Sequence, residues 1–485
     1  AAVLAALAAG LPAETFVAGD SGVKWIGVRH AVRHPGSPLE IATPGIGGAP
    51  APFVEPFFLP HDDHLHAVTS EPFVLATAPF YALLGPRGLY VLPLAGFLAA
   101  VAGWIWLARE LDPRRHTGWL AGTLVLGTPW LFYGLEFWEH TPALGLAAIG
   151  TALLVGSWGF EGPQRTRRVG LGGALLGLAM VMRLEMACFA AAVFAMLPWL
   201  GAQRRGWRAT AAAAAGAAAP LAVLVSFNLA HYGHVWNTHI AANAGLLGDG
   251  YIASRAGLVG AWFATWNDGS FWRAAPLAVV ALAAPFVLPV REGGRAALLL
   301  MAGATTAMIV ATAPNDGGGH WAPRYLLCVY GPLAVLASDV LQALGRRRAA
   351  GLGLALVILA GGAWTQRASY RKLQATKRIY GRMLAFVRQQ APPGTFVVTD
   401  LWWLDQVTAG ADARTFLYAA TREDGRAIFE RLGSAHAAAV TIVVSRAESI
   451  GALPEGETGC YVAAGRAELP DRELIAIRLA PGHCP

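Results

Sequence analysis

The sequence predicts a polytopic α-helical membrane protein that carries a small C-terminal α/β domain. Of its 485 residues, 55% are hydrophobic and 14% are charged, whereas a soluble domain carries about a quarter charged residues. Short arginine clusters recur between the apolar stretches, and the composition turns polar after Trp364. Together these observations predict about eleven spanning helices followed by a domain outside the membrane.

The arginine clusters predict the orientation of the chain. Five clusters separate apolar stretches, and the connections between them are rich in Asp, Glu, His and Trp. This alternation is the positive-inside signature, so the arginine loops are expected in the cytoplasm and the other loops outside it. The net charge of +7 is then explained by arginines that face anionic lipid, and no nucleic acid is expected as a partner. The clusters are Arg109/Arg114/Arg115, Arg165/Arg167/Arg168, Arg204/Arg205/Arg208, Arg291/Arg295 and Arg346/Arg347/Arg348.

The count of spans depends on one ambiguous apolar segment, Thr69–Leu84. If it crossed the membrane, every later arginine cluster would lie outside. We therefore predict an interfacial helix there, which Pro72, Pro79 and Tyr81 allow. The predicted spans are Ala1–Val17, Gly88–Ala108, Gly118–Tyr133, Thr141–Trp158, Val169–Met182, Met186–Leu200, Ala209–Ala230, Ala274–Val290, Ala296–Ala313, Tyr325–Leu344 and Ala349–Trp364.

The sequence therefore predicts two domains. Residues 1–368 form the transmembrane domain, which includes a long outer loop at 18–87, and residues 369–485 form a domain outside the membrane. In the second domain Ser369–Gln390 and Glu423–Leu432 predict helices, and Thr395–Thr399, Thr415–Ala419 and Ala438–Val444 predict strands. Cys460 and Cys484 are predicted to pair as a disulfide, since disulfides persist outside the cytoplasm.

Asp20 follows the first predicted span between two glycines. It is either an unfavourable charge at a helix C-terminus or a base above a membrane cavity. Farther along the same loop, His61, Asp63 and His64 stand close enough in sequence to ligate a divalent metal such as Zn²⁺. A solvated polar loop is the alternative.

The second outer connection contains Glu136, Glu139 and His140 at the start of a span. These groups either form a functional site or accompany an aromatic belt around Trp138, with acids near a helix N-terminus. Arg183 and Glu185 lie between two short spans, two residues apart, so on a helix they would not face one another. Each is expected to need its own partner at membrane depth.

A glycine-rich stretch, Asn315–Tyr325, enters a late span. Its three glycines are followed by His320, Trp321 and Arg324. Backbone N–H groups and a guanidinium can both hold phosphate, so we predict an anion site. A flexible loop with an interfacial arginine is the alternative.

In this order of features the chain resembles the GT-C membrane glycosyltransferases, which include protein O-mannosyltransferases, the aminoarabinose transferase of lipid A and the catalytic subunit of oligosaccharyltransferase. The resemblance implies an enzyme that takes a sugar from a polyprenyl-phosphate donor on the extracytoplasmic face of the inner membrane. It implies that Asp20 is the first-loop acid and that Glu136 or Glu139 is the second-loop acid. By location, the substrate-binding residues would be Lys24, His140, Arg183, Glu185, His320, Trp321 and Arg324.

We therefore predict sugar transfer to a glycan, lipid or protein acceptor, with a divalent metal as an optional cofactor. The family's first motif often has two acids where this chain has Asp20 alone, and its second acid is Asp where this chain has Glu. A flippase for lipid-linked saccharides and a non-catalytic subunit of a membrane complex are the alternatives. The clustering of charged residues at the outer end of the spans favours transfer.

Overall fold

The computed structural model of the chain forms two compact units. The helical unit contains Ala1–Ala8 and Tyr90–Leu373, and the mixed unit contains Ala9–Leu89 and Gln374–Pro485. The first long connection thus folds with the C-terminal segment, whereas the sequence assigned it to the domain 1–368. The described residues are 2–17, 19–47, 49–50, 54, 56–61, 64–200, 204–236, 238, 251–290, 292, 294–318, 320–347, 349–411, 413–445, 460–470 and 473–481.

Most long apolar stretches form single helices, as predicted. Glycine and proline residues shorten or divide some of the other predicted spans. Gly10 and Pro12 follow the end of the first helix, so the expected span Ala1–Val17 is not one helix. The helices are α1 (Ala2–Ala9), α2 (Gly19–Arg33), α3 (Glu71–Leu84), α4 (Val91–Leu111), α5 (Thr117–Leu126), α6 (Trp130–Gly134), α7 (His140–Gly156), α8 (Gly162–Met182), α9 (Met186–Leu200), α10 (Arg204–Tyr232), α11 (Tyr251–Val259), α12 (Phe271–Ala274), α13 (Leu277–Leu282), α14 (Ala284–Val287), α15 (Arg295–Thr312), α16 (Tyr330–Arg347), α17 (Ala349–Gln390), α18 (Leu404–Val407) and α19 (Arg422–Ser434).

Six helical segments of the described chain are long and apolar enough to cross a membrane. Two predicted spans, Gly118–Tyr133 and Ala274–Val290, are instead divided into shorter helices. The integral-membrane class is confirmed, and the number of about eleven spans stays a prediction. The six segments are Glu71–Leu111, His140–Gly159, Trp207–Tyr232, Arg295–Thr312, Arg324–Arg346 and Ala349–Gln390.

Small residues bring the helices of the helical unit together. A Cβ on Gly173 of α8 would overlap the carbonyl oxygen of Ala213 of α10, and a Cβ on Gly177 would overlap that of Ala217. Glycine and alanine therefore let the two backbones come into contact. In lipid, where the hydrophobic effect does not drive helices together, such close packing of small residues lets them associate.

A buried ionic cluster in the helical unit joins Arg115, between α4 and α5, and Arg295, at the start of α15, to Asp339 inside α16. The Nε and Nη2 atoms of Arg115 donate to the two carboxylate oxygens of Asp339, each at 2.8 Å. Arg295 donates through Nε to the same carboxylate at 2.9 Å. The exposed fractions of the three side chains are only 2%, 4% and 11% for Arg115, Asp339 and Arg295. Thus two arginines that were expected to face anionic lipid bind an acid inside α16 instead.

Replacing Asp339 by Asn is expected to destabilise the protein by about 3–5 kcal/mol, because it leaves two guanidinium groups buried without a carboxylate. Thermal unfolding in detergent would measure the loss. The matched control is Glu468→Gln, which removes an exposed ion pair with Arg466 and should change stability by no more than about 1 kcal/mol. Equal unfolding temperatures for the two variants would contradict this role of Asp339.

The C-terminal segment forms a mixed five-stranded sheet in the order β7-β6-β8-β10-β9. Strand β6 pairs in parallel with β7 and β8, while β10 is antiparallel to both of its neighbours. The predicted strands near 396, 415 and 440 and the helix near 423 are confirmed, and β9 and β10 were missed. The strands are β1 (Ile41–Ala42), β2 (Gly45–Ile46), β3 (Ala49–Pro50), β4 (Phe58–His61), β5 (His64–Ala67), β6 (Phe396–Thr399), β7 (Thr415–Tyr418), β8 (Val440–Ser445), β9 (Tyr461–Leu469) and β10 (Leu474–Pro481).

Both faces of this sheet are covered, as the alternation of its strands requires. Val398 and Ile442 point toward the core that includes Ile428 of α19. Val397 and Val443 belong to the opposite core, which includes Val387 from the C-terminal part of α17. The helix predicted at Ser369–Gln390 is the C-terminal part of the continuous helix α17. Its apolar face packs on the sheet.

The first connection packs within the mixed unit. A Cβ on Gly22 of α2 would overlap the backbone carbonyl oxygen of Gln406 in α18, so this contact requires glycine. Helix α3, within the segment Thr69–Leu84, buries Phe73 and Val74 completely or nearly so. Val74 lies against Gly27 of α2. Its predicted place along the membrane interface stays a prediction.

Candidate functional site

Three charged side chains of the helical unit form a buried triad. Arg183 donates through Nη1 to Oε1 of Glu139 and through Nε to Oε1 of Glu185, both at 2.8 Å. Glu139 precedes α7, Arg183 ends α8, and Glu185 precedes α9. The exposed fraction of each side chain is below 10%. We call these three residues the Arg183 triad.

The expectation of separate partners for Arg183 and Glu185 was wrong. It assumed helical geometry, but Arg183 has an extended backbone and a turn follows it. This backbone lets side chains two residues apart meet. With two carboxylates on one guanidinium the ionised triad carries a net negative charge, and the salt bridges offset the cost of burying it.

Aromatic rings surround the start of α7. The rings of Tyr133 and His140 lie 5.0 Å apart between centroids, and Trp138 lies 5.3 Å from Tyr133 and 4.9 Å from His320. Trp138 is fully buried, which argues against the alternative of an aromatic belt at this position. Sequence reasoning did not single out Tyr133, because nothing distinguishes it from other aromatic residues of an apolar span.

The stretch Asn315–Tyr325 joins this cluster through Trp321. Its carbonyl oxygen accepts a hydrogen bond of 2.8 Å from the Tyr133 hydroxyl. The guanidinium carbon of Arg183 lies 6.0 Å from the centre of the Tyr325 ring, and that of Arg324 lies 5.4 Å from it. Both arginines therefore flank one aromatic ring.

Two backbone N–H groups of the predicted anion site already donate hydrogen bonds within their own loop. The N–H of Gly317 donates to the side chain of Asn315, and that of Gly318 donates to Asp316, each at 2.9 Å. The third glycine, Gly319, lies outside the described residues. The groups suited to an anion are thus the partly exposed Arg324 and the imidazole of His320, rather than the backbone of Gly317 and Gly318.

Glu136 is fully buried between α6 and α7. Its backbone oxygen accepts from the N–H of Trp138 at 2.9 Å. The predicted residues Glu136, Glu139 and His140 thus lie on one short connection, and the ring contacts and salt bridges bring His320, Trp321, Arg183 and Glu185 to the same region of the helical unit.

Asp20 lies in the mixed unit, in the first turn of α2. It does not end a helix, as one interpretation held; negative charge is favourable at a helix start, so this position supports the ionised carboxylate. Lys24, one turn later, is buried and donates through Nζ to the backbone oxygen of Asp20 at 3.4 Å. Trp25 packs edge-on against Phe16, with ring centroids 5.6 Å apart.

The predicted metal ligands fall on a β-hairpin. His61 of β4 and His64 of β5 are directly opposite one another, while Asp63 lies outside the described residues. Within the described ranges there is no group of three His, Cys, Asp or Glu side chains arranged to hold a metal. The metal site therefore stays a prediction. Cys460, which precedes β9, is disulfide-bonded, but Cys484 lies outside the described residues and the pairing also stays a prediction.

Comparison with known proteins shows similarity of fold without similarity of sequence. No protein-family model and no curated protein matches the chain. The structure of ArnT from Cupriavidus metallidurans matches with a TM-score of 0.54 and 12% identity over 98% of this chain and 96% of that one. An oligosaccharyltransferase from Archaeoglobus fulgidus, in complex with Zn and sulfate, matches with a TM-score of 0.54 and 12% identity over 96% of this chain and 70% of that one. The predicted GT-C fold is confirmed.

Proposed function

We propose that the protein is a GT-C-type glycosyltransferase that moves a sugar from a polyprenyl-phosphate donor to an acceptor on the extracytoplasmic side of the membrane. The observation that carries the proposal is the fold similarity to an aminoarabinose transferase, which extends over 98% of the chain. The alternation of arginine loops with loops rich in acids and histidine supports the proposed side of the membrane.

The proposed reaction is a single displacement at the anomeric carbon. The bond from the acceptor oxygen to that carbon forms as the bond to the phosphate oxygen breaks, and the electron pair leaves with the phosphate. Asp20 takes the proton of the acceptor hydroxyl as a general base. It lies in the first turn of α2, where negative charge is favourable.

The cations would stabilise the departing phosphate. Arg324 and His320 suit this role because they belong to the predicted anion site and flank the aromatic cluster. Arg183 forms salt bridges with two acids. We therefore propose that Arg183 and Glu185 mainly position Glu139, in addition to any contact with the substrate. Lys24, His140 and Trp321 complete the proposed substrate-binding set, and Glu136 stays a second candidate for the family's second acid.

A divalent metal is an optional part of the proposal. The imidazoles of His61 and His64 are the ligand type that zinc prefers, and the carboxylate of Asp63 would be a third. The displacement described above uses only side chains of the protein. Loss of transfer activity after chelation of divalent metal would assign metal binding to this hairpin.

The proposal is tested by incubating the purified protein in lipid nanodiscs with polyprenyl phosphates that carry different radiolabelled sugars. A lipid extract, a glycan and a peptide serve as acceptors. We expect the label to move from one donor to one acceptor class. If folded protein yields no labelled product with any pair, the proposal fails and a non-catalytic subunit becomes the better interpretation.

A further inference from the structure

A cavity in the mixed unit is lined by none of the residues assigned to transfer. Its volume is about 100 Å³. It lies at the carboxyl ends of the parallel strands β6 and β7, where Thr399 and Tyr418 line it. Ligands of open parallel sheets bind outside the carboxyl ends of the strands, which is the edge where this cavity lies.

The walls of the cavity are mainly apolar. Ile26 of α2, Leu65 of β5, Leu401 and Phe416 contribute aliphatic and aromatic surface. Trp402 also lines the cavity, and 42% of this residue is exposed, so the cavity reaches the protein surface there. Such a space would favour a short hydrocarbon stem that enters from solvent.

One carboxylate, that of Asp405, stands among these apolar walls. No hydrogen bond to it is found in the described part of the chain. Burial raises the pKa of Asp405 to about 6, and the nearby Arg29 acts in the opposite direction. Arg29 is not a lining residue, and its Nη1 donates to the carbonyl oxygen of Ala409 at 2.7 Å. Among the described lining residues Asp405 alone carries a charge, and Tyr418 is the other titratable group.

Asp405 is partly buried, and a carboxylate in an apolar wall is a favourable partner for a cation. Trp402 and Tyr418 also line the cavity, and aromatic rings attract cations. The size of the cavity fits such a group, since an apolar cavity of about 150 Å³ holds a benzene ring of six heavy atoms. The cavity volume of about 100 Å³ therefore suits a group of four or five heavy atoms.

We propose that this cavity binds an alkylammonium group, such as a lysine side chain, with its stem against the apolar walls and its ammonium on Asp405. The site shares no residue with the proposed transfer site and would hold the lysine side chain of a peptide segment. An ethanolamine headgroup shares the ammonium but has a shorter stem beside a phosphate, and fits the apolar walls less well.

The test is ligand-observed NMR titration of the full-length protein in nanodiscs of zwitterionic lipid. The probes are N-acetyl-lysinamide, its neutral hydroxyl analogue and glycerophosphoethanolamine. At pH 7.5 we expect N-acetyl-lysinamide to bind at least tenfold more tightly than either other probe. Asp405→Asn should remove this preference, and the control Glu468→Gln on β9 should retain it.

The pH dependence provides a second test on the unaltered protein. The ammonium requires the ionised form of Asp405, so affinity should be constant well above pH 6 and fall about tenfold for each pH unit below it. Equal binding of the charged and neutral probes, tighter binding of glycerophosphoethanolamine, or an affinity that does not fall between pH 6 and pH 5 would each overturn the proposal.

Discussion

Replacing Asp20 by Asn is expected to abolish glycosyl transfer while the protein stays folded. The amide keeps the shape of the carboxylate but cannot accept the proton of an acceptor hydroxyl, and general-base catalysis contributes about 10²–10⁴-fold to a rate. Asp20 is partly exposed at the start of α2, so losing its charge should cost only about 0.3–1 kcal/mol of stability. Transfer assays in nanodiscs and thermal unfolding would measure the two effects separately.

Glu14→Gln is the matched control for this variant. Glu14 lies six positions before Asp20 in the mixed unit and pairs at 2.9 Å with Arg388, and both side chains are more than 40% exposed. Its replacement removes one carboxylate from the same connection without touching the proposed base. We expect unchanged transfer in the control, and transfer at the normal rate in the Asp20→Asn protein would remove Asp20 from the mechanism.

The second large effect is expected for Arg183→Gln. The substitution leaves the carboxylates of Glu139 and Glu185 buried without their cation, which should destabilise the protein by about 3–5 kcal/mol. It should also abolish transfer, because Glu139 loses the group that fixes its position. The control is Arg273→Gln, whose ion pair with Asp268 at 2.9 Å is more than one-third exposed on both sides.

A triple variant separates structure from function at the Arg183 triad. Changing Glu139 and Glu185 to Gln together with Arg183→Gln removes every buried charge while keeping side chains of similar shape. Stability should recover most of its loss, as happens when whole buried ion pairs become neutral, but transfer should stay absent. Recovery of transfer along with stability would mean that the triad only joins helices.

The sequence predicted the fold best where patterns were local. Strand β6, strand β8 and helix α19 were predicted from alternation and helical periodicity. Strand β9 was missed because its alanines, glycine and arginine have little β-propensity, and its place in the sheet depends on pairing with β10. Strand β10 itself carries Ile475 and Ile477 in alternation, a signal that could have been used.

The charged residues were harder to predict, because their partners are distant in sequence or their local backbone is irregular. Arg115 meets Asp339 across 224 positions, and no local pattern joins them. An acid inside an apolar span such as α16 nevertheless signals a buried partner, and that rule would have singled out Asp339. Asp405 had no comparable signal, since its importance depends on a cavity that forms only when the first connection packs on the C-terminal sheet.

The most direct test of glycosyl transfer uses proteoliposomes that contain a polyprenyl-phosphate sugar labelled separately in the sugar and in the lipid. The two labels distinguish cleavage of the sugar–phosphate bond from movement of the intact donor between leaflets. We predict that acceptor-dependent cleavage releases polyprenyl phosphate with the unaltered protein and is lost with Asp20→Asn. Movement of intact donor without cleavage, or equal cleavage by both proteins, would contradict the proposed enzyme.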